Sequence, residues 1–469
     1  MLELKQGGID RSIFRAYDIR GIVDQQLTTK TLFWIGQAIG SAALAKDERR
    51  IALGYDGRHS SPSLAQSLRN GILSTGCDVI DIGMVPTPIL YYATFVLNTR
   101  SGVMITGSHN PANYNGCKIM IDGKTLTDED IQKLYHRIIK EDFEKGQGEL
   151  HELDMVERYL DRIHQMIKLR RPLKVVVDAG NGIPGLFAPK LYRRLGCEVQ
   201  ELFCEVDGNF PNHHPDPSQE ANLQDLIRVV REQKADIGLA FDGDGDRLGV
   251  VTAAGKIILA DRQLILFARA MLSEHPGAKV IYDVKCTAHL DPLIREYGGE
   301  PLMWKTGHSY IKEKMIETKA LLAGEMSGHI FFKDRWYGFD DGLYAGARLL
   351  EILAARDEDS DALFAAIPDS INTPELKVFL PEEEKFSLMD KLVAQLKIKA
   401  GTSKQAYELV TIDGLRLNFA QGWGLVRSSN TTPCLVLRFE AADETVLAEI
   451  QALFRDLLLS VKPDLVLPF

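Results

Sequence analysis

Three copies of a strand–turn–helix–strand unit run through this chain, and they restrict its possible folds more than any other feature. The copies begin at Ile51, Val175 and Val280. In each copy an apolar strand is followed by an Asp or Asp-Gly turn, a helical stretch, a Gly and a second strand. This order is typical of βαβ units in parallel or mixed sheets. Because the copies are spaced by roughly a hundred residues, the repeat is of domain size and is not a solenoid.

Each copy also contains a third apolar strand that ends in a polar loop. These strands are predicted at 102–105, 237–241 and 320–323. The loops that follow them are Thr106–Pro111, Asp242–Arg247 and Gly324–His329. Ligand groups in α/β sheets gather outside the carboxyl ends of strands. The sequence therefore predicts one cleft with three walls, each formed by one of these loops.

The pattern changes after residue 370. A charged helix is predicted after Pro381, an alternating strand at 415–419, a polar loop at 427–433 and a last helix near 444–459. These elements indicate a separate α+β domain. The fold prediction is therefore α/β, with three similar mixed α/β domains plus a C-terminal α+β domain.

Composition excludes several classes of function. The net charge of −10 argues against binding to nucleic acid or to an anionic membrane surface. The N-terminus does not resemble a signal peptide, and no apolar run approaches the roughly 18 residues that span a bilayer. Six cysteines are spread widely without a Cys-x-x-Cys pair, which predicts buried free thiols in a cytoplasmic protein and no zinc site. Neither the P-loop motif Gly-x₄-Gly-Lys nor a dinucleotide-binding Gly-x-Gly-x-x-Gly after a strand is present, so no bound nucleotide is expected.

Three aspartates alternate with glycines in the second loop, at Asp242, Asp244 and Asp246. In an extended segment their side chains would lie on one side, where the three carboxylates repel each other unless a cation lies between them. An all-oxygen ligand set suits Mg²⁺ before Ca²⁺. An EF-hand is excluded because its sixth position would be Arg247 and its twelfth Ala253. The alternative interpretation is an acidic surface turn.

The first loop places Ser108 and His109 side by side at a strand end, with Lys118 a short distance downstream. The loop suits a hydroxyl that must be held in a fixed position. An ordinary polar turn is the alternative interpretation, because Ser and Asn favour turns. The esterase elbow is excluded, since Thr106 and Asn110 stand where that motif has glycines.

Two further loops carry groups that suit a phosphorylated sugar. The segment that begins at Arg427 combines a guanidinium with hydroxyl and amide donors, which together suit a phosphate dianion. Glu325 and Ser327 could bind sugar hydroxyls, and His329 could transfer a proton near neutral pH. Solvated or internally satisfied polar loops are the alternative interpretations.

Four motifs, taken in their order and spacing, resemble those of the α-D-phosphohexomutase superfamily. They are Thr-Gly-Ser-His-Asn-Pro, Asp-Gly-Asp-Gly-Asp-Arg, Gly-Glu-Met-Ser-Gly-His and Arg-Ser-Ser-Asn-Thr-Thr-Pro. The resemblance covers the whole chain. Within the superfamily, Glu325-Met326-Ser327 is similar to the bacterial phosphomannomutase/phosphoglucomutase branch, because the phosphoglucosamine branch usually carries Gln at the Met326 position. Ser428 is a small departure, since Ala is expected there.

The resemblance implies four domains around a central cleft. We expect a phosphoserine domain at 1–152, a metal-binding domain at 153–256, a sugar-recognition domain at 257–368 and a phosphate-binding domain at 369–469. A hinge before the last domain, near 367–372, is expected to open the cleft. The partners implied are phosphorylated hexoses, acting on a monomer or weak dimer.

The resemblance also implies roles for individual residues. Ser108 would carry the phosphoryl group, and Mg²⁺ would be held by Ser108, Asp242, Asp244 and Asp246. The residues implied in catalysis are Ser108, His109, Lys118, Arg247, His329 and Arg20. The residues implied in substrate binding are Tyr17, Lys285, His308, Glu325, Ser327, Arg427, Ser429, Asn430 and Thr431. His329 and Lys118 are both candidates for the base.

The implied reaction moves a phosphoryl group between hexose 6-phosphate and hexose 1-phosphate, with mannose and glucose as the sugars. It passes through a phosphoserine enzyme and a hexose 1,6-bisphosphate, which also acts as activator. The alternative functions are a phosphoglucosamine mutase, a phosphoserine-dependent sugar phosphatase, and a regulator that binds metal and sugar phosphate without catalysis.

Overall fold

The computed structural model describes residues 8–399, 406–430 and 432–469. Their strands form four separate sheets. The first sheet has the order β1-β5-β4-β2-β3-β7, with β6 paired to β5. Its strands are β1 (Ile19–Ile22), β2 (Arg50–Tyr55), β3 (Asp78–Met84), β4 (Gly102–Ile105), β5 (Tyr114–Ile121), β6 (Lys124–Thr125) and β7 (Leu150–Glu152). The helices around it are α1 (Thr29–Leu44), α2 (Ser61–Leu73), α3 (Thr87–Val96) and α4 (Asp128–Ile139).

The second and third sheets have fewer strands. The second comprises β8 (Lys174–Asp178), β9 (Glu198–Leu202), β10 (Ile237–Phe241), β11 (Leu248–Thr252) and β12 (Ile257–Ile258), with α5 (Val156–Met166), α6 (Ala188–Arg194) and α7 (Gln224–Gln233). The third comprises β13 (Lys279–Asp283), β14 (Glu300–Trp304), β15 (Leu322–Gly324) and β16 (Ile330–Phe332), with α8 (Ala260–Glu274), α9 (Leu290–Glu296), α10 (His308–Thr318), α11 (Gly342–Ala354) and α12 (Ser360–Ala365).

The first three sheets share one arrangement. Three parallel strands lie in the orders β4-β2-β3, β10-β8-β9 and β15-β13-β14. Beside the first strand in each of these orders, β4, β10 or β15, lies an antiparallel neighbour, which is β5, β11 or β16 respectively. This common topology confirms the predicted repeat of mixed α/β units. It also places the three polar loops at equivalent strand ends.

The fourth sheet is antiparallel throughout and has the order β17-β22-β21-β20-β19, with β18 also paired to β22. Its strands are β17 (Ile371–Asn372), β18 (Leu376–Phe379), β19 (Glu408–Val410), β20 (Leu415–Phe419), β21 (Gly422–Ser428) and β22 (Cys434–Ala441). The helices are α13 (Glu382–Lys399) and α14 (Glu444–Val461). The predicted α+β character of this segment is confirmed.

One predicted strand is displaced. The third strand of the third copy was expected at 320–323, but β15 spans Leu322–Gly324. Lys319 ends α10 in the left-handed conformation (φ 57°), and the N–H of Ala320 still donates to the carbonyl of Met315. Because Ala320 closes the helix in this way, the strand begins two residues later.

The hydrophobic core divides the molecule unequally. One continuous cluster of buried side chains joins the first three units, with Tyr91, Tyr159, Leu239 and Leu350 among its members. The fourth unit has its own core around Leu417 and Phe454. A small cluster of Val284, Trp423 and Leu425 connects it to the third unit. The first three units are therefore packed as one body, and the fourth is attached through a smaller apolar contact and buried hydrogen bonds.

Local sequence explains the close packing of the first unit. The Thr28 hydroxyl accepts a hydrogen bond from the N–H of Thr31 at 3.1 Å and caps α1. Gly36 of α1 and Gly71 of α2 let the two helices touch, since a Cβ on either would lie about 2 Å from a facing carbonyl oxygen. All six cysteines are buried free thiols, as predicted. In the described ranges, no helix combines the length and apolar character needed to cross a lipid bilayer.

Candidate active site

The loop after β4 holds Ser108 in an unusual backbone conformation. Its φ is +47°, in the left-handed region that side chains other than glycine rarely adopt. Its Oγ donates to Asp242 Oδ2 at 2.9 Å and lies 3.1 Å from His109 Nδ1. Asp56 anchors the start of the loop by accepting from the Thr106 hydroxyl at 2.7 Å and from the next backbone N–H at 3.1 Å. Burial and nearby guanidinium groups lower the pKa of His109 well below its ordinary value.

The three aspartates of the second loop converge through a turn. The sequence predicted an extended segment, and this was wrong: Asp242 Oδ1 accepts from the N–H groups of Gly245 and Arg247, which folds the loop back on itself. Gly245 has a φ of +77°, which this turn requires. The alternation with glycine therefore brings Asp242, Asp244 and Asp246 together by tight turning, and all three are fully buried.

The aspartate cluster fits a divalent cation. A carboxylate oxygen from each of the three residues lies within 4.8 Å of the others. Two buried oxygens, Asp244 Oδ1 and Asp246 Oδ1, have no hydrogen-bond partner in the described structure. Burial and the two neighbouring carboxylates raise the pKa of Asp242 well above its ordinary value. Buried, unpaired oxygens that repel each other are the donor set of a hard metal ion, and Ser108 Oγ adjoins them.

Lys118 lies against the same cluster. Its ammonium donates to Asp244 Oδ2 at 2.7 Å and also to Asp246 Oδ2. Burial alone would lower the pKa of Lys118, but the charges of these carboxylates outweigh it and hold the pKa well above its ordinary value. The ammonium is thus a fixed positive charge in the cleft. Its position follows from the antiparallel pairing of β5 with β4, which places Lys118 opposite Met104.

Arg247 and His329 join the second and third loops. Arg247 Nε donates to His329 Nε2 at 3.0 Å, and the backbones of the two residues form an isolated bridge. On its other side, His329 Nδ1 lies 3.1 Å from Asp340 Oδ2. Because Nε2 accepts, Nδ1 carries the hydrogen in the neutral ring. Asp340 is itself held by Lys312, whose Nζ lies 2.9 Å from Oδ1.

Arg20 reaches the Ser108 loop from the edge strand β1. Its Nη1 donates to the carbonyl of Gly107 at 3.0 Å and to the side-chain oxygen of Asn110. Its Nη2 donates to Asp18 at 2.6 Å. The pairing of β1 with β5 sets Arg20 opposite Gly116 and so fixes its distance from the loop.

Between these groups lies a set of side chains that can bind the hydroxyls and the ring of a sugar. Glu325 Oε1 accepts from the N–H of Gly307 at 3.2 Å, and Oε2 accepts from the Ser327 hydroxyl at 3.3 Å. Burial raises the pKa of Glu325 to about 7. The ring of Tyr17 meets that of His308 edge to face, with centroids 5.0 Å apart. Burial and an adjacent ammonium lower the pKa of His308 well below its ordinary value.

Two cations stand at the far side of the cleft, each beside a carboxylate. Lys285 Nζ donates to Glu375 Oε1 at 2.5 Å, and Arg427 Nε donates to Asp413 Oδ2 at 2.9 Å. Although burial alone would raise the pKa of Glu375, Lys285 lowers it to about 2. Arg427 is 4% exposed, and its Nη2 has no hydrogen-bond partner among the residues described. That nitrogen remains available to an anion.

The loop after β21 lies on the same side of the site as Lys285 and Arg427. The N–H of Ser429 donates to the carbonyl of Cys434 at 3.0 Å, and its Oγ accepts from the N–H of Thr432 at 3.1 Å. Asn430 Nδ2 is 3.5 Å from the carbonyl of Thr306. The remaining predicted member, Thr431, lies outside the described residues.

Contacts link the described members of the predicted site into one region with two ends. We call Ser108, Lys118, Asp242, Asp244 and Asp246 the transfer end, and Lys285, Arg427, Ser429 and Asn430 the clamp end. Residues 306–308 connect the two. The N–H of Thr306 donates to Asp413 beside the clamp end, the N–H of Gly307 donates to Glu325, and the His308 ring stacks on His329.

Several residues of the cleft carry no signal in the sequence. Thr87 begins α3, donates its hydroxyl to Asp244 Oδ2 at 2.5 Å and donates its backbone N–H to the carbonyl of Asp244 at 2.9 Å. Asp340, Lys312, Asp413 and Glu375 contact the predicted residues His329, His308, Arg427 and Lys285 respectively. Lys312 lies one helical turn after His308, and the other four come from segments separate from the motifs they support, where no spacing rule identifies them.

Comparison with known proteins gives a consistent result over the whole length. Four domains described as phosphoglucomutase/phosphomannomutase match this chain: alpha/beta/alpha domain I at residues 11–145, domain II at 157–255, domain III at 260–371 and the C-terminal domain at 375–457. The chain is 55% identical to a phosphomannomutase/phosphoglucomutase of Pseudomonas putida over the full length of both proteins. It is 54% identical to a phosphoglucomutase of Neisseria gonorrhoeae, with 98% of this chain and 99% of the relative covered.

A solved structure agrees with these matches. It is a phosphoglucomutase/phosphomannomutase family protein from Burkholderia thailandensis, 51% identical, with a TM-score of 0.92. The alignment covers 98% of this chain and 100% of that one.

Proposed function

The chain belongs to the phosphoglucomutase/phosphomannomutase family, whose members are mutases of the isomerase class, and we propose that it interconverts the 6-phosphates and 1-phosphates of mannose and glucose. Phospho-Ser108 gives its phosphoryl group to the free hydroxyl of the sugar phosphate. The phosphorus–Oγ bond breaks, a phosphorus–oxygen bond to the sugar forms, and the hydroxyl proton passes to a base. The resulting 1,6-bisphosphate turns over and returns its other phosphoryl group to Ser108.

One observation carries this proposal. The Ser108 hydroxyl is held 2.9 Å from the first carboxylate of a buried aspartate cluster, with the Lys118 ammonium on the other two. Phosphoryl transfer depends on alignment and on neutralising charge rather than on covalent assistance. A hydroxyl fixed between carboxylates that suit a cation and a permanent positive charge meets both needs.

The same carboxylates are the proposed metal ligands. Asp242, Asp244 and Asp246, with an oxygen of phospho-Ser108, would hold Mg²⁺. When bound, the ion would supply positive charge beside the transferring phosphoryl group. Thr87 and Lys118 keep Asp244 oriented through two bonds to its Oδ2.

Of the two candidate bases, the contacts support His329. Lys118 is a cation between two carboxylates and is therefore suited to charge neutralisation. His329 presents a ring nitrogen that accepts a hydrogen bond, while Asp340 Oδ2 lies 3.1 Å from the opposite nitrogen. Arg247 must release Nε2 before that nitrogen takes the hydroxyl proton. Arg247 and Arg20 then remain as neighbouring positive charges.

The clamp end holds whichever phosphate is not reacting. Lys285 and Arg427 supply the charge, and Ser429, Asn430 and Thr431 supply the surrounding donors. Glu325 and Ser327 bind sugar hydroxyls, with His308 and Tyr17 orienting the ring. Because both substrate orientations use the same contacts, one site serves both halves of the reaction. A hexose 1,6-bisphosphate acts as activator by restoring the phosphoserine, and the enzyme works in the cytoplasm as a monomer or weak dimer.

Phosphorus NMR tests the proposal directly. The phosphorylated enzyme with Mg²⁺ and mannose 1-phosphate or glucose 1-phosphate is expected to give a mixture of 1- and 6-phosphates. Ser108→Ala is expected to abolish the exchange, whereas Ser273→Ala, an exposed serine on α8, leaves it unchanged. Steady release of inorganic phosphate would identify a sugar phosphatase instead. Preferred turnover of glucosamine 1-phosphate would identify the glucosamine mutase, and binding without exchange would identify a regulator.

A further inference from the structure

The mechanism leaves one buried cation behind the Ser108 loop without a role. Arg58 follows β2 and is 2% exposed. Its Nη1 donates to the carbonyl oxygens of Pro111 at 2.7 Å and Tyr114 at 3.0 Å. Its Nη2 donates to the carbonyl oxygens of Ser108 at 2.7 Å and Asn110 at 2.6 Å. One side chain therefore holds four main-chain carbonyls of the loop that carries the proposed phosphoserine.

This contact acts on a strained residue. Ser108 has a positive φ, a conformation that costs on the order of 1–3 kcal/mol and persists only where the surroundings enforce it. The Thr106 hydroxyl accepts from the N–H of Ser108 at 2.8 Å, and Arg58 binds the carbonyl of Ser108 on the other side. The backbone on both sides of the Ser108 side chain is thereby fixed. This fixation aims Oγ at Asp242.

The second unit covers Arg58 from behind. The Arg58 guanidinium carbon lies over the ring of Phe210, 5.0 Å from the ring centroid. The segments around Arg58 and Phe210 approach each other closely. A Cβ on Gly57 would lie 2.3 Å from Val206, and one on Gly208 would lie 2.7 Å from the N–H nitrogen of His59. Phe210 therefore encloses a guanidinium whose donors are directed into the loop. A planar fork with five N–H donors suits this task, and a lysine ammonium with three donors on one atom does not.

We infer that Arg58 is a positioning residue that locks the Ser108 loop, with Phe210 as its cover, and that this lock determines whether the phosphoryl group passes to sugar or to water. The inference rests on the proposed phosphoserine cycle. With the lock in place, phospho-Ser108 is held beside Lys118 and the aspartate cluster. A loosened loop exposes it to hydrolysis: a water oxygen bonds to phosphorus, the phosphorus–Oγ bond breaks, Ser108 Oγ takes a proton, and inorganic phosphate leaves.

The test compares Arg58→Lys and Phe210→Leu with Arg295→Lys, which changes an exposed arginine of α9. Each protein is first phosphorylated with glucose 1,6-bisphosphate. Three quantities are then measured with glucose 1-phosphate: kcat, KM, and the inorganic phosphate released per sugar phosphate converted. For Arg58→Lys we expect kcat to fall about 100-fold, the size of effect produced by a misplacement of 1 Å. KM should change less than about threefold, and phosphate release per conversion should rise about tenfold.

A purely structural role predicts a different pattern. It would lower the melting temperature and the amount of active enzyme, but it would leave the ratio of hydrolysis to transfer unchanged, and that result overturns the inference. If Arg58→Lys does not fold, Phe210→Leu decides by the same ratio: a raised ratio supports the lock and a wild-type ratio overturns it. Failure of the unaltered enzyme to become phosphorylated at Ser108 would instead remove the proposed function. The two failures are therefore distinguishable.

Discussion

The two ends of the cleft are built on opposite principles. At the transfer end, Ser108, Lys118 and the three aspartates contact each other and are almost fully buried. At the clamp end, Lys285 and Arg427 are paired with Glu375 and Asp413, and the Arg427 guanidinium keeps one nitrogen unpartnered. The first end is preorganised around its own charges, and the second keeps one guanidinium nitrogen available to a ligand. Catalytic rate should therefore depend on the transfer end and substrate affinity on the clamp end.

The core supports this division. The transfer end is assembled from the first two units, which share one continuous hydrophobic cluster. The clamp end combines Lys285 of the third unit with a loop of the fourth, which has a core of its own. Chemistry thus takes place within a single packed body, and phosphate binding takes place across a boundary between two. A site of this kind can release and reorient a ligand without disturbing its reacting groups.

The largest expected effect comes from Lys118→Met. Loss of the ammonium leaves Asp244 and Asp246 facing each other without their positive neighbour and removes a charge from the transfer site. We expect kcat to fall by about 10²–10³-fold with little change in KM. Steady-state kinetics measures both, and Lys133→Met on the exposed face of α4 serves as control. A rise in KM with an unchanged kcat would assign Lys118 to binding and break the comparison.

Arg427→Lys should show the reverse pattern. A guanidinium with a free nitrogen gives charge-assisted hydrogen bonds worth about 1.5–3 kcal/mol, so its replacement should raise KM by about 10–100-fold. The kcat value should change less, because the transfer end is intact. Kinetics with glucose 1-phosphate, beside the exposed control Arg228→Lys, separates the two parameters. A kcat loss equal to that of Lys118→Met would show that the two ends are not separate in function.

Glu325 lies between the ends and should make stability depend on pH. Burial raises the pKa of this carboxyl to about 7, above its unfolded value of 4.5. The contribution of this carboxyl to the free energy of unfolding is therefore fully present below pH 4.5 and is lost as the pH rises through 7. Relative to Glu325→Gln, the native protein should lose on the order of 3 kcal/mol of unfolding free energy over this window. Urea unfolding of both proteins from pH 5 to 8 measures the difference, and parallel curves would contradict it.

The smallest expected effect is a change of shape. The buried apolar contact between the fourth unit and the third is the small cluster of Val284, Trp423 and Leu425, and polar contacts such as those from Arg416 to the carbonyls of Val284 and Cys286 accompany it. We expect it to turn about residues 367–372 when a bisphosphate bridges the two ends. Small-angle X-ray scattering should then show a slight compaction on adding glucose 1,6-bisphosphate to Ser108→Ala, which cannot consume it. Superimposable curves would mean that the clamp end is as fixed as the transfer end.

Much of this architecture could be predicted from the sequence because its signals are local. An apolar strand followed by a polar loop is visible at each of the three repeated positions, and strand ends of similar sheets gather in one place. The aspartate cluster was predicted from alternation alone. The geometry behind it was not, since the turn at Gly245 depends on bonds from two backbone N–H groups to Asp242.

The supporting residues could not be predicted, because their roles exist only in three dimensions. Arg58 is ordinary in sequence and becomes distinctive only when four carbonyls of a loop some fifty residues away turn toward it. Asp340 and Lys312 act on His329 from separate elements. Glu375 and Asp413 oppose the cations of the clamp end from segments without a motif. Sequence motifs identify groups that meet the ligand more readily than groups that hold them in place.

Intact-mass spectrometry tests the central claim, that Ser108 carries the phosphoryl group, most directly. The purified protein is measured before and after incubation with glucose 1,6-bisphosphate and Mg²⁺, with Ser108→Ala treated in parallel. We predict a phosphate-sized gain in mass that maps to Ser108, is absent from the variant and disappears when mannose 1-phosphate is added. A protein that gains no phosphate under these conditions, or gains it equally in Ser108→Ala, would contradict the account.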